Sequence, residues 1–205
     1  MEGIVYKTID YKEEDKICYL LTNVGPLSVR VKKAKLYKSK NHAFCNLVSI
    51  FDFEVFKAPI LGLKTFNVID NFYNIKTNYY KMIIAINVLE VSSLEHNISS
   101  DRLYNFVKNL LININDNEDY LPKYFIFLVK MLKVFGILPD LSLINPSFSY
   151  ISLTNDEYNL IKKAYYGDVN NTFYVELSLV IKIINYYESM GLGYFKRIKE
   201  TFKEF

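Results

Sequence analysis

Residues Lys16-Ile-Cys-Tyr-Leu-Leu-Thr22, Asn23-Val-Gly-Pro26 and Leu27-Ser-Val-Arg-Val-Lys-Lys33 place two β-rich runs on either side of a turn signal. Neighbouring side chains on a strand point to opposite faces, so Arg30 and Lys32 share one side while Val29 and Val31 share the other. Strand-like composition continues outward through Gly3 to Ile9, Leu47 to Lys57 and Gly62 to Ile69. The connection from the third to the fourth strand is long enough to hold a helical turn. Five short strands suit a small closed barrel better than a flat sheet, because closure removes unpaired edges. An OB-fold is expected first and an SH3-like barrel second.

From Thr77 the apolar period changes from two to about 3.6. Tyr80, Ile83, Ile84, Val88 and Val91 form one stripe, and Leu103, Phe106, Val107, Leu110, Leu111 and Ile114 form another. A third helix is expected from about Tyr120, with Pro122 in its first turn, to a stop at Gly136 before Pro139. Thr154-Asn-Asp-Glu157 reads as a capping box opening a fourth helix that ends near Gly167. Two more stretches, Thr172 to Met190 and Tyr194 to Phe205, flank Gly191-Leu-Gly193. Leu141 to Ser152 is the one long irregular segment. The fold class is therefore α+β, a β-barrel followed by an α-helical bundle.

The 205 residues are 51% hydrophobic and 23% charged, with 7 Gly and 5 Pro and a mean hydropathy of +0.05. Such a chain can bury a core, which argues against intrinsic disorder. Apolar runs such as Met82 to Ile86 and Phe125 to Val129 are far shorter than a membrane span. Glu2 and Asp10 in an alternating N-terminus do not resemble a secretory signal, so a cytoplasmic location is expected. Cys18 and Cys45 lie among apolar neighbours and read as free, buried thiols; His42 and His96 fit no ligand spacing. No metal and no cofactor is expected. Nor does the chain carry a nucleophile elbow, a phosphate-cradling glycine loop or a cysteine near a base, so an enzyme is disfavoured. Glu13-Glu14-Asp15 reads as a solvated turn.

The net charge of +3 is concentrated: residues 1–75 hold 11 Lys and Arg against 8 Asp and Glu, and residues 76–205 hold 14 of each. No acid lies between Asp15 and Asp52, and Arg30 to Lys40 contains six cations in eleven positions. Each cation that neutralises a phosphate releases condensed counterion, so density and placement suffice for polyanion binding. Tyr37 and Phe44 lie near Lys33, Lys35, Lys38 and Lys40, and rings among cations suit single strands, whose bases stack on them. The competing readings are a solvated lysine-rich loop, an RNA-binding barrel with the same charges, and a helical scaffold with a protein-docking barrel.

Gly3-Ile-Val-Tyr-Lys7-Thr-Ile-Asp-Tyr-Lys-Glu13-Glu-Asp15-Lys-Ile17 is followed by Leu21-Thr22, Gly25, Leu27 to Lys32 and Lys38-Ser39. Phe53 to Lys57, Val68 to Phe72, Leu89-Glu90 and Phe135-Gly136-Ile-Leu-Pro139-Asp140-Leu141 come after them. This ordered set resembles the RecO family of bacterial recombination mediators. The resemblance implies an OB-fold DNA-binding domain over 1–75 and a helical domain over 76–205. It also implies binding of single- and double-stranded DNA, strand annealing, and help for RecA in replacing single-strand-binding protein. RecR and the C-terminal tail of single-strand-binding protein are the implied partners. Many members carry two Cys-x-x-Cys zinc pairs after the Gly-x-x-Pro motif; 141–152 contains no cysteine, so this chain is expected to be zinc-free. Lys33 and Leu36 depart from the family's small and basic residues at those positions. The DNA-binding role is carried to Arg30, Lys32, Lys35 and Lys38, then to Lys33, Lys40, Lys7, Lys57 and Tyr37.

Overall fold

A computed structural model describes residues 1–94, 100–142, 148, 150–168, 173–192 and 195–202. Five strands come first: β1 Glu2–Tyr11, β2 Asp15–Thr22, β3 Gly25–Val31, β4 Ile50–Phe56 and β5 Leu61–Asp70. β1, β2 and β3 form an antiparallel meander; β5 joins β3 in parallel through Val29–Leu61 and Arg30–Gly62. β4 pairs antiparallel with both β5 and β1, which closes the barrel in the order β1-β2-β3-β5-β4. This is the strand order of an OB-fold, and the SH3-like alternative falls.

The turn between β2 and β3 follows from local chemistry. Gly25 has φ +115, a conformation that a side chain resists. Thr22 Oγ1 donates to the Gly25 carbonyl at 2.5 Å and accepts from Val24 N–H at 3.2 Å. The third strand ends earlier than its composition suggests, because Lys33 adopts φ +54 and turns the chain away from the sheet. The fourth begins at Ile50 and not Leu47, since Val48 also has a positive φ. Between them a 3₁₀ turn, Lys40–Cys45, opens on Ser39, whose hydroxyl accepts from Asn41 N–H. Its Phe44 fills the barrel, with ring centres 4.8 Å from Phe51, 5.4 Å from Phe53 and 5.3 Å from Phe66.

Among the described residues seven helices follow: α1 Tyr73–Thr77, α2 Tyr79–Ser92, α3 Ser100–Asp116, α4 Leu121–Val134, α5 Asn155–Tyr166, α6 Leu177–Ser189 and α7 Lys196–Phe202. α1 is too short to show a period and has no counterpart in the sequence reading. The stripe on α2 is buried apart from the half-buried Tyr80, yet Lys81, Ala85, Ile86, Asn87 and Leu89 are buried too. An element covered on nearly every side is a central helix, and α4, buried continuously from Pro122 to Val129, is the other. Tyr124 donates to Asn87 Oδ1 at 2.7 Å and links the two, satisfying polar groups that burial would otherwise penalise. On α3 the expected stripe is buried apart from the half-buried Phe106. Gly136, at φ +70, ends α4 as expected. The helix expected from Thr172 starts only at Leu177, and residues 173–176 are non-helical. Thr172, Tyr194, residues 203–205, His96 and most of 143–149 lie outside the described residues. No helix among the described residues is long and apolar enough to cross a membrane.

Helices and barrel share a core in which Ile4, Leu21, Val48 and Ile50 pack with the α2, α3 and α4 side chains. Glu2 Oε2 reinforces the joint, accepting from Lys108 Nζ at 2.7 Å and Tyr104 Oη at 3.1 Å. The helices thus cover the barrel end where β1 starts, β2 ends and β3 starts. The opposite end, with the β1–β2 turn and the exit of β3, is left to solvent.

The capping box at α5 is complete: Thr154 Oγ1 accepts from Glu157 N–H, and Glu157 accepts from Thr154 N–H. Thr154→Ala should cost about 1 kcal/mol. The expected readout is a lower urea midpoint at unchanged slope, and an unchanged midpoint would contradict the role of the cap.

Candidate nucleic-acid interface

The alternation read in β3 holds. Val29 and Val31 are fully buried, Lys32 is exposed and Arg30 half-buried on the outer face. Register then brings neighbours to that face: Arg30 opposes Ile17 on β2 and Gly62 on β5, and Tyr19 opposes Lys7 on one side and Ser28 on the other. Gly62 is where Phe56 folds across the surface; a Cβ there would stand 2.2 Å from Phe56 Cζ. Cations sit over these rings. Lys7 Nζ lies 5.5 Å from the Tyr19 centre, Arg30 Cζ 5.4 Å and Lys12 Nζ 5.5 Å from Tyr11, and Lys32 Nζ 5.9 Å from Phe56. Each such contact is a modest attraction to the negative ring face.

Asp15 organises the solvent end. Its Oδ2 accepts from Arg30 Nε at 2.7 Å and lies 2.6 Å from Arg30 Nη2, and its Oδ1 accepts from Lys33 N–H at 2.9 Å. One carboxylate therefore holds the start of β2, the body of β3 and the left-handed turn that ends it. Burial works to raise its pKa, but the Lys33 N–H and the Arg30 hydrogen bond and charge outweigh it and hold the carboxyl below its usual range. The expectation of a solvated acidic turn holds for Glu13 and Glu14, which are exposed, and fails for Asp15, which is buried.

These contacts sort the cations. Arg30 answers to Asp15; Lys35 Nζ lies 3.2 Å from Asp10 Oδ2 and donates to the Lys12 carbonyl at 2.9 Å. Lys7, Lys32, Lys33, Lys38, Lys40 and Lys57 are exposed, and among the described residues none of the six is in an ion pair. Lys32, Lys33 and Arg30 converge at the exit of β3, with Lys57 just past Phe56 in the β4–β5 connection. Lys38 and Lys40 lie along the connection to β4, which Asn41 Nδ2 ties back to the Lys32 carbonyl at 3.0 Å. Lys7 lies further up the barrel beside Tyr19. Tyr37 is 89% exposed, its ring centre 6.1 Å from that of His42. Phe44, expected among the rings open to a ligand, is instead wholly buried in the barrel.

Sequence reasoning missed Tyr11, Tyr19, Phe56 and Lys12 on this face. The alternation around Tyr19, between the buried Cys18 and Leu20, was the available signal. Among the described residues no group of three or more His, Cys, Asp and Glu is placed to hold a metal ion.

A closed OB barrel with an outward row of cations and rings on β2 and β3, flanked by the β1–β2 and β4–β5 turns, has the layout with which OB-folds bind oligonucleotides and oligosaccharides. Comparison with known proteins is more specific. The family model described as "Recombination protein O C terminal" matches residues 77–143, on the helical side of the molecule. "DNA repair protein RecO" of Mycoplasma mycoides subsp. mycoides is 31% identical over 170 residues, covering 76% of this chain and 68% of that protein. The protein of that name in Listeria monocytogenes serotype 4b is 32% identical over 144 residues, covering 68% of this chain and 56% of its own length. That of Flavobacterium psychrophilum is 26% identical over 233 residues, covering 99% and 97%. The chain belongs to the RecO family.

Because the folded pKa of Asp15 is depressed, the stability it lends is present above the unfolded carboxyl value of about 3.9 and is lost as pH falls through the folded value. Thermal melts of Asp15→Asn should therefore fall below the parent's at pH 7, with the gap shrinking under acid. A gap independent of pH would contradict the ion pair's contribution.

Proposed function

We propose that this chain is a non-catalytic DNA-repair protein that binds single- and double-stranded DNA at the solvent end of its barrel. The observation that carries this reading is the set of exposed, unpaired lysines around Tyr11, Tyr19 and Phe56 on one OB face. Lysines follow the phosphates and set affinity, while the rings offer stacking surfaces to unpaired bases. Residues 1–75 are taken as the DNA-binding domain and 76–205 as the helical domain. Lys32, Lys33, Lys38, Lys40, Lys57 and Lys7 serve as phosphate contacts and Tyr37 as a further ring. Arg30 and Lys35, each already facing a carboxylate, serve more to shape the surface than to neutralise phosphate. In keeping with family membership, the protein anneals complementary strands and assists RecA loading onto strands coated by single-strand-binding protein. Its partners in that role are RecR and the tail of single-strand-binding protein.

A second reading, a protein-interaction module, is favoured by one feature of the helical region. A pocket of about 260 Å³ is lined by Tyr120, Leu121, Leu177 and Phe202 together with Glu118 and Asp119.

Fluorescence anisotropy of labelled single-stranded DNA across a salt series separates the two. The variant Lys32→Ala, Lys38→Ala, Lys40→Ala, Lys57→Ala removes four exposed cations without touching Asp15. Its binding should weaken, and the slope of log K against log salt should become shallower by about 0.7 per lost phosphate contact. Identical slopes for parent and folded variant would remove the interface from this face, and no binding by the parent at low salt would favour the interaction module.

A further inference from the structure

Cys18 and Cys45 were expected to be ordinary buried thiols, and their placement says more. Cys18 sits mid-strand on β2, wholly buried between its partners Thr8 and Val29. Cys45 closes the 3₁₀ turn and is only half-buried. Their sulfurs are 3.4 Å apart, with the Cys18 thiol donating to Cys45. A disulfide needs the sulfurs at about 2.05 Å, so bonding asks for a movement of little over an ångström. Such movement falls to the 3₁₀ turn, which is joined to the barrel by side chains, while Cys18 is fixed by ladders on both sides.

We propose that Cys18 and Cys45 form a reversible dithiol–disulfide site that pins the basic connection to the barrel wall. The two sulfurs are unlike. The Cys18 hydrogen bond, opposed by burial and aided by the charge of Lys16, holds the Cys45 thiol below its usual range. The same bond, with burial, pushes the Cys18 thiol up. Cys45 is therefore the attacking sulfur and Cys18 the resolving one. With a peroxide as oxidant, the Cys45 thiolate takes the distal oxygen, forming a sulfenic acid and releasing hydroxide, which takes up the proton that Cys45 had shed. The Cys18 sulfur then displaces the sulfenic hydroxyl, which leaves as water with the Cys18 proton. In sum, two thiols and one hydrogen peroxide give one disulfide and two waters.

The closed loop spans residues 18–45 and encloses every cation from Arg30 to Lys40. It also fixes Phe44, the plug of the barrel, next to one of its own ends. The consequence is a stiffer connection, independent of whether DNA binds there.

The test treats the intact purified chain with hydrogen peroxide, then unfolds it and alkylates with N-ethylmaleimide before peptide mapping. The expected result is loss of both alkylation sites, a Cys18–Cys45 cross-linked peptide within monomeric protein, and recovery of both thiols with dithiothreitol. Amide exchange over residues 33–45 should slow in the oxidised form. In Cys18→Ala, dimedone should capture Cys45 as its sulfenic acid. Over-oxidation of Cys45 with Cys18 still alkylated, cross-links between chains, or two thiols unchanged would each overturn the proposal. The wild-type mapping decides the matter even where the variant does not fold.

Discussion

Two residue pairs, Val29 with Leu61 and Arg30 with Gly62, turn a five-stranded sheet into a barrel. Without this parallel seam β3 and β5 would present open edges, and the inner faces of the strands would have no common core. The seam also fixes the outer surface. It sets Arg30 beside a glycine, and the missing Cβ leaves room for Phe56 to lie across the strand within reach of Lys32. The interior answers to the same closure, because Phe44 can plug the barrel only if β4 and β5 bring Phe51, Phe53 and Phe66 around it. Fold and candidate interface thus rest on one short ladder.

Charge is the second determinant, and its arrangement outweighs its sum. A net charge of +3 is weak for a polyanion binder. Asp15 and Asp10 spend part of it internally, holding Arg30 and Lys35 and with them the turn that launches the basic connection. Lys32, Lys33, Lys38, Lys40 and Lys57 stand on the end of the barrel that the helices leave uncovered, so their fields add over a small area. The helical region contributes by occupying the other end, with Glu2, Tyr104 and Lys108 at the joint.

Much of this was legible in the residues. Alternation of Val29 and Val31 with Arg30 and Lys32 gave both the strand and its two faces, and Thr154 with Glu157 gave a helix start that the backbone reproduces. The misses have physical causes. α2 and α4 are apolar nearly all round, so neither the stripe read on α2 nor the end signals read on α4 could tell that they are central. Phe44 looks like an exposed ring among lysines because a 3₁₀ turn has too few residues to display which side faces in. Asp15 lies 15 residues from Arg30, and only the β2–β3 register, unavailable before folding, makes them partners. Tyr19 could have been found from its buried neighbours; Phe56 could not, since its position depends on a glycine on another strand.

The central claim, that DNA meets this protein at the solvent end of the barrel, is tested most directly by titrating the ¹⁵N-labelled protein with an unlabelled single-stranded oligomer and following amide shifts. Progressive, salt-sensitive shifts are expected at Tyr11, Lys12, Tyr19, Arg30 to Lys40, Phe56 and Lys57, with the helical amides unmoved. Shifts confined to the helices, with the barrel silent, would contradict it.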